Sequence, residues 1–411
     1  MKDTVLFQQA LCLPAPWFVK SSAFDIEQKR LTIQLDFQKG STFSCPTCGQ
    51  HNLKAYDTAE KQWRHLNFFQ HECYLTARVP RISCPTCGVK AITDLPWARR
   101  DSGFTLLFEA MIIALVPSMP CKTIANYVGE YDSRIWRIIH HYLDEVLEQQ
   151  DLSSVTKVGL DETASKRGHN YVTSFVDLES SKVLFVTEGK DATTVEKFHK
   201  HLLAHKGKAE NIKEICCDMS PAFIKGVTTN FPEAHITFDK FHIVQVLTKA
   251  VDEVRREEQK ERPELAKSRY LWLKNQVHLN QSQQVKLEKL QLKKLNLKTA
   301  RAYQVKLNFQ EFFKQAPAYA QSFLNQWYYS ASHSRLEPIK EAARTIKRHW
   351  YGILRWFTSN ITNGKLEGLN SMIQAAKARA RGYRTTNNLI AMIYFIGGKF
   401  EFALPALTHS K

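Results

Sequence analysis

The stretch 157-KVGLDETASKRGHNYVTSFVDLESSKVLFVTE-188 decides how this chain folds. Apolar and polar residues alternate over 157–163, 171–178 and 182–188, the period-two pattern of strands, and Glu179 to Ser181 supply a short turn between the last two. Working outward toward the C-terminus, 193–205 has helical periodicity, and an apolar strand over 212–217 ends on Asp218. After a helix that starts at Pro221, a strand over 234–238 ends on Asp239. The order is three hairpin strands, then helix, strand, helix, strand.

That order belongs to an α/β fold, an RNase H-like mixed sheet, in which the first and fourth strands are neighbours. Asp161 in GLDET ends the first strand and Asp218 in CCDMS ends the fourth, so the two carboxylates are expected to converge. A third acid, Glu367, lies in SNITNGKLEGLN (359–370), where Asn363 can cap a helix that carries Glu367 and Asn370 on one face. Hard oxygen ligands of this kind suit Mg²⁺ or Mn²⁺. Two such ions could activate an attacking oxygen and stabilise the departing one. Taken singly, each acid reads as well as a cap or a surface residue; only their order along the strands joins them into one site.

On the N-terminal side the signal is cysteine. Cys45-Pro-Thr-Cys48-Gly and Cys84-Pro-Thr-Cys87-Gly are near-identical knuckles, each offering two thiolates from a tight turn whose glycine can take a positive φ. Two such pairs make a four-sulfur zinc site with no open position, hence structural. The alternating run CYLTARVPRISC (73–84) between them suits a zinc ribbon. Cys12, Cys73, Cys121, Cys216 and Cys217 lack the spacing and read as small core residues. Between ribbon and sheet, helices are expected over 104–116 and 122–128, with Gly129 at the turn. A third starts at Asp132 or Ser133 and carries Arg134, Trp136 and Arg137. The pattern fits a helix-turn-helix whose last helix enters the major groove, and equally any other three-helix unit.

Past the core, residues 250–345 are rich in Lys, Gln, Glu and Leu and read as long amphipathic helices, with an exposed charged face at 285–298. This is an all-helical insertion or a coiled-coil arm for dimerisation. Residues 340–400 hold eleven Lys and Arg against two acids, including KARARGYR at 377–384 with Lys377, Arg379, Arg381 and Arg384. Trp350, Tyr351, Trp356 and Tyr383 interleave with these cations, which suits a phosphate backbone and unpaired bases. The expected division is 1–98 zinc ribbon, 99–150 helix-turn-helix, 151–250 with 346–411 the catalytic core, and 251–345 the insertion. A formal charge of +17 favours a polyanionic partner. No run approaches the roughly 20 apolar residues of a membrane span, and the N-terminus makes a poor signal peptide. The expected compartment is the cytoplasm, with the protein on the nucleoid when bound to DNA.

Seven blocks resemble the ISL3 (IS-L-three) family of insertion-sequence transposases. They are the CPTCG pair, WRHL (63–66), VPRISCPTCG (79–88), GLDETASKRGHNY (159–171), CDMSPAF (217–223), FDKFHIV (238–244) and LEGLNSMIQAAKARARGY (366–383). The resemblance implies a zinc ribbon, a helix-turn-helix and a DDE domain interrupted by a helical insertion. It implies that Asp161, Asp218 and Glu367 are the metal-binding trio, that Asp239 and His242 form a D-x-x-H element with His242 near the scissile phosphate, and that Glu162 supports Asp161. Double-stranded DNA, as transposon ends and target, and a homodimer or larger assembly follow from it. A nuclease that cuts without joining and a non-catalytic DNA-binding regulator are the rival readings.

Overall fold

In a computed structural model that describes residues 2–406, apart from 167, 169, 275–277, 292–294, 360, 362 and 363, the chain forms two compact units. One comprises Met1–Asp144 with Glu401–Lys411, the other Glu145–Phe400. The cap expected at Asn363 falls outside the described residues.

The first unit begins with α1 (Asp3–Ala10), β1 (Trp17–Asp25), β2 (Arg30–Phe37), β3 (Thr42–Phe43), β4 (Leu53–Phe68), β5 (His71–Cys84) and β6 (Gly88–Ala91). Its sheet runs β1-β2-β5-β4-β3, with β6 also pairing β5. The long β4–β5 hairpin is antiparallel, whereas β2 and β5 are parallel. Leu75, Ala77 and Val79 alternate on one face of β5 and are buried with Leu31, Ile33 and Leu35 of β2. The sheet is thus larger than a ribbon; β1 and β2 were not anticipated from the sequence. Cys12, expected in the core, is instead exposed at a positive φ of 45° after α1. Cys73, Cys121, Cys216 and Cys217 are buried.

Three helices follow, α2 (Leu106–Leu115), α3 (Cys121–Val128) and α4 (Asp132–Glu148). The Thr105 hydroxyl accepts from Phe108 N at the start of α2, and Gly129 closes α3 at φ 74° in the left-handed region. Ile135, Ile138, Ile139, Tyr142 and Leu143 form the buried stripe of α4. The WRHL block docks α2 on the sheet. Arg64 N donates to Gly103 O (2.9 Å), Thr105 N to Arg64 O (3.0 Å), and the His65 ring pairs with the Thr105 hydroxyl (2.8 Å). Glu109, fully buried in α2, accepts from Arg99, Ser102 and Tyr142.

Burial, reinforced by the Arg64 charge, draws the His65 imidazole down to about 4 from its ordinary 6.5. The folded state therefore keeps His65 neutral, while the unfolded chain takes up a proton as pH falls below 6.5. This unit is expected to lose stability between about pH 6.5 and 4. Its melting temperature at pH 5 should lie below that at pH 7, and His65→Gln should shrink the difference; an unchanged difference would refute the assignment.

The second unit opens with β7 (Lys157–Ala164), β8 (Tyr171–Asp177) and β9 (Lys182–Glu188), then α5 (Ala192–Ala204), β10 (Glu214–Cys217), α6 (Pro221–Asn230) and β11 (His235–Phe238). The strand order is β11-β10-β7-β8-β9. The β7–β8–β9 meander is antiparallel, and β10 and β11 continue the sheet parallel to β7. All five strands form within two residues of the limits expected for them.

The remaining helices are α7 (Lys240–Glu258), α8 (Arg269–Leu273), α9 (Gln281–Leu290), α10 (Lys298–Phe312), α11 (Pro317–Ser332), α12 (Glu337–Arg348), α13 (Trp350–Leu354), α14 (Trp356–Ser359), α15 (Gly364–Arg379) and α16 (Thr386–Gly397). The helix α7 runs through residue 250 without a break and carries the core into the helical region. At its end Glu258 accepts from Lys298 N, Thr299 N and the Thr299 hydroxyl, each at 2.7 Å, so a carboxylate seals the positive end of α10. The charged 285–298 segment is not one helix: α9 stops at Leu290, and Leu287, Leu290 and Leu297 are buried. Toward the C-terminus, α15 lies on β7 so closely that a Cβ on Gly159 would come within 2.5 Å of Leu366. That contact fixes where Glu367 and Asn370 stand.

Candidate functional site

The carboxyl ends of β10 and β11 lie side by side next to the middle of β7, which runs on to Ala164, so Asp161 does not end the first strand as expected but sits within it opposite Ser174. Cys216 pairs with Gly159, and Cys217 with Phe238. Continued past the strand ends, the same registers set Asp218 between Asp161 and Asp239. Asp161 Oδ1 accepts from Glu162 N (2.8 Å) and Oδ2 from Asn370 Nδ2 (2.5 Å). Asp218 Oδ1 accepts from Ser220 N (2.9 Å) ahead of α6. Asp239 caps α7, accepting from Phe241 N at 3.1 Å. One turn into that helix, His242 Nε2 stands 3.6 Å from Asp239 Oδ2 and 4.0 Å from Asp161 Oδ1.

Electrostatics marks the same spot. Burial holds the Asp161 carboxyl above its usual value; the Asp239 charge adds to this, and the Glu162 amide, His242 and Asn370 oppose it. Glu162 is raised as well, first by burial and then by the charges of Asp218 and Asp161. Crowded, partly buried acids of this kind favour a nearby cation, so the donor set fits a hard divalent ion.

Among the described residues, Glu367 does not complete a close three-carboxylate cluster with Asp161 and Asp218. It is exposed on α15 and lines a cleft of about 630 Å³ with Asp239, Lys240, Phe241, Gln310 and Trp356. Among the described residues, the four cysteines are the sole group of three or more His, Cys, Asp or Glu ligand atoms lying within 4.8 Å of one another. The helix instead brings Asn370, one turn beyond Glu367, onto Asp161, where an amide can donate and a second carboxylate could only repel. Helical spacing showed that Glu367 and Asn370 share a face; which of them meets Asp161 depends on the packing of α15.

The cysteines do converge. Cys45 and Cys84 are buried, and Cys48 Sγ lies 3.6 Å from Cys84 Sγ, close to the roughly 3.8 Å edge of a tetrahedron of sulfurs about 2.3 Å from zinc. Gly49 and Gly88 take φ of 75° and 73°, as the knuckle turns require. The backbone amides of Cys48 and Thr47 lead in lowering the Cys45 thiol to about 6. Hydrogen bonding to Cys48 leads in raising Cys87 to about 12. The four sulfurs fit one structural Zn²⁺.

The basic candidates divide. Arg134 pairs with Glu130 at 2.5 Å and lies 4.3 Å over the Phe104 ring, whereas Arg137 is exposed. Lys377 donates to Ala164 O, and burial lowers its amine. Arg379, Arg381 and Arg384 are exposed, and the Arg384 carbonyl accepts from Lys166. The i,i+4 spacing of Glu130 and Arg134 was a readable sign of that pair; the two lysine contacts with backbone carbonyls left none.

Among the described residues, no helix is long and apolar enough to cross a membrane. The transposase (DDE) model of the ISL3 family matches residues 158–393. The helix-turn-helix domain of transposase family ISL3 matches 93–143, and the zinc-finger of transposase IS204/IS1001/IS1096/IS1165 matches 41–87. The transposase for insertion sequence element IS1001 of Bordetella parapertussis is 27% identical over 348 residues, 83% of this chain and 85% of that protein. The transposase for insertion sequence element IS1557 of Mycobacterium tuberculosis is 27% identical over 384 residues, 84% of each chain. Because the DDE match alone spans more than half of its length, this chain belongs to the ISL3 family of transposases, with that family's zinc ribbon and helix-turn-helix ahead of the DDE domain.

Proposed function

We propose that the chain binds the terminal inverted repeats of an insertion sequence, cuts one strand at each end and joins the exposed 3′-hydroxyl to target DNA. The observation that supports this reading is the parallel pairing of β7 with β10, whose register, continued two residues past Cys216, would bring Asp218 opposite Asp161, in a sheet of order β11-β10-β7-β8-β9. Asp161 and Asp218 would hold Mg²⁺ or Mn²⁺, with Glu367 reaching them from α15 as the third ligand. Two bound divalent ions supply Lewis-acid stabilisation of the phosphoryl oxygens and a lowered pKa for the attacking water.

The chain's own groups then have separate tasks. Asp161 and Asp218 would fix the cations relative to the sheet, and through them the position of the reacting phosphate. His242, held between Asp239 and Asp161, faces that phosphate as a hydrogen-bond donor. In the first step water attacks phosphorus and the P–O3′ bond breaks, leaving a 3′-hydroxyl and a 5′-phosphate. In the second, the 3′-hydroxyl attacks a target phosphodiester and the target's own 3′-oxygen leaves. One phosphodiester is exchanged for another, so no covalent protein intermediate and no external energy source are needed. Sequence reading falls to the zinc ribbon and the helix-turn-helix together, where Arg137 is exposed, and phosphate binding to Arg379, Arg381 and Arg384. Processing two ends together calls for a homodimer or larger assembly.

The test is purified full-length protein with DNA carrying the element's own ends, in Mg²⁺ and in Mn²⁺. Nicks with 3′-hydroxyl termini and joined products are expected. Tight binding to those ends with no cleavage in either metal would overturn the catalytic reading in favour of a DNA-binding regulator, and cleavage without joining would favour a nuclease.

A further inference from the structure

The geometry points to Asn370 as the positioning residue of the catalytic centre: its side-chain amide bridges Asp161 and Thr163 and sets the orientation in which Asp161 meets a divalent cation. This rests on the reading of Asp161 as a metal ligand. Asp161 and Thr163 are two apart on β7 and so project from one face of the strand. Across that face lies the half-buried Asn370 of α15. Its Nδ2 donates to Asp161 Oδ2 at 2.5 Å, and its Oδ1 accepts from the Thr163 hydroxyl at 3.0 Å.

The two contacts fix each other. A carboxylate only accepts, so the NH₂ end of the amide must face Asp161; a flipped amide would set oxygen against oxygen. The Thr163 hydroxyl, itself buried, supplies the donor that the carbonyl end then requires. With Glu162 N on Oδ1 and Asn370 on Oδ2, each Asp161 oxygen has one donor and keeps one lone-pair direction for a cation. The carboxylate cannot rotate without losing both bonds. Because Glu367 stands on the same helix, the bridge also ties the first aspartate to the element that carries the third acid.

Outer partners of metal ligands typically contribute about 10–100-fold to metal affinity or activity. Asn370→Leu keeps the volume and removes the donor. Mn²⁺ binding to the free protein, followed by electron paramagnetic resonance, should weaken by about 10–100-fold. The Mg²⁺ concentration for half-maximal end cleavage should rise in step, while zinc content and affinity for the ends stay at wild-type values. Thr163→Val should shift both quantities in the same direction but less, and Thr163→Ser, which keeps the hydroxyl, should restore them. This threonine pair decides the matter if the leucine variant melts early. Wild-type Mn²⁺ affinity and Mg²⁺ dependence in both Asn370→Leu and Thr163→Val would overturn the role. If the wild-type protein itself neither binds Mn²⁺ nor cuts, the metal-trio reading falls first, and the role of Asn370 falls with it.

Discussion

Asp218→Asn is expected to abolish Mg²⁺-dependent cleavage of the element's ends while leaving the fold and end binding intact. The amide matches the carboxylate in shape, and its oxygen can still accept from Ser220 N, the bond that Asp218 makes at 2.9 Å. The Glu162 carboxyl, raised partly by the charge of Asp218, is relieved when that charge goes, so the second unit should melt no lower than in the wild type. What is lost is an anionic ligand to a hard cation. Because even the partners of metal ligands cost about 10–100-fold when removed, loss of a ligand should exceed about a hundredfold. Gel shifts with the ends should be unchanged and the cleavage rate should fall below that bound. Cleavage equal to wild type would sink the assignment of Asp218.

Much of this centre was legible in the sequence because strand alternation is a local signal. The runs from Val158 to Leu160 and from Val172 to Val176 betray paired strands, and β10 and β11 each stop one residue before an acid, Asp218 and Asp239, whereas β7 continues three residues past Asp161. The repeat of CPTCG was equally local. Packing was not. Nothing in the spacing of Glu367 and Asn370 says which of them α15 turns toward Asp161; Leu366 wedged against Gly159 decides it. Cys12 looked like a small core residue, yet the chain leaves α1 through a left-handed turn that exposes it. The strand β1 went unread because much of it, including Lys20, Ser21 and Ala23, faces solvent and dilutes the alternation, whereas β2 alternates cleanly through Leu31, Ile33 and Leu35 and was legible.

Cys84→Ser and Cys45→Ser are expected to release zinc and weaken binding to the ends, more severely than Cys48→Ser. All four sulfurs fit one tetrahedron, but Cys45 and Cys84 are also buried in the core of the first unit beside Trp17, Ile92 and Trp97, whereas Cys48 is exposed. Structural zinc contributes on the order of 10–16 kcal/mol in isolated fingers, comparable to the whole stability of a domain. Here two things compete. Loss of that energy should unfold the knuckles, yet Leu31, Ile33, Leu35, Leu75 and Val79 give the β2–β5 part of the sheet an apolar core of its own. Unfolding should therefore stay local, fraying β3, β6 and the two turns while β4 and β5 hold. Hydrogen exchange resolves the two cases: protection should vanish at residues 42–52 and 85–91 and persist along β4 and β5. The DDE unit should keep its own melting transition. Metal content is the more direct measurement, since full zinc stoichiometry in Cys45→Ser would refute the four-cysteine site. Loss of zinc with undiminished affinity for the ends would instead assign end recognition to the helix-turn-helix alone.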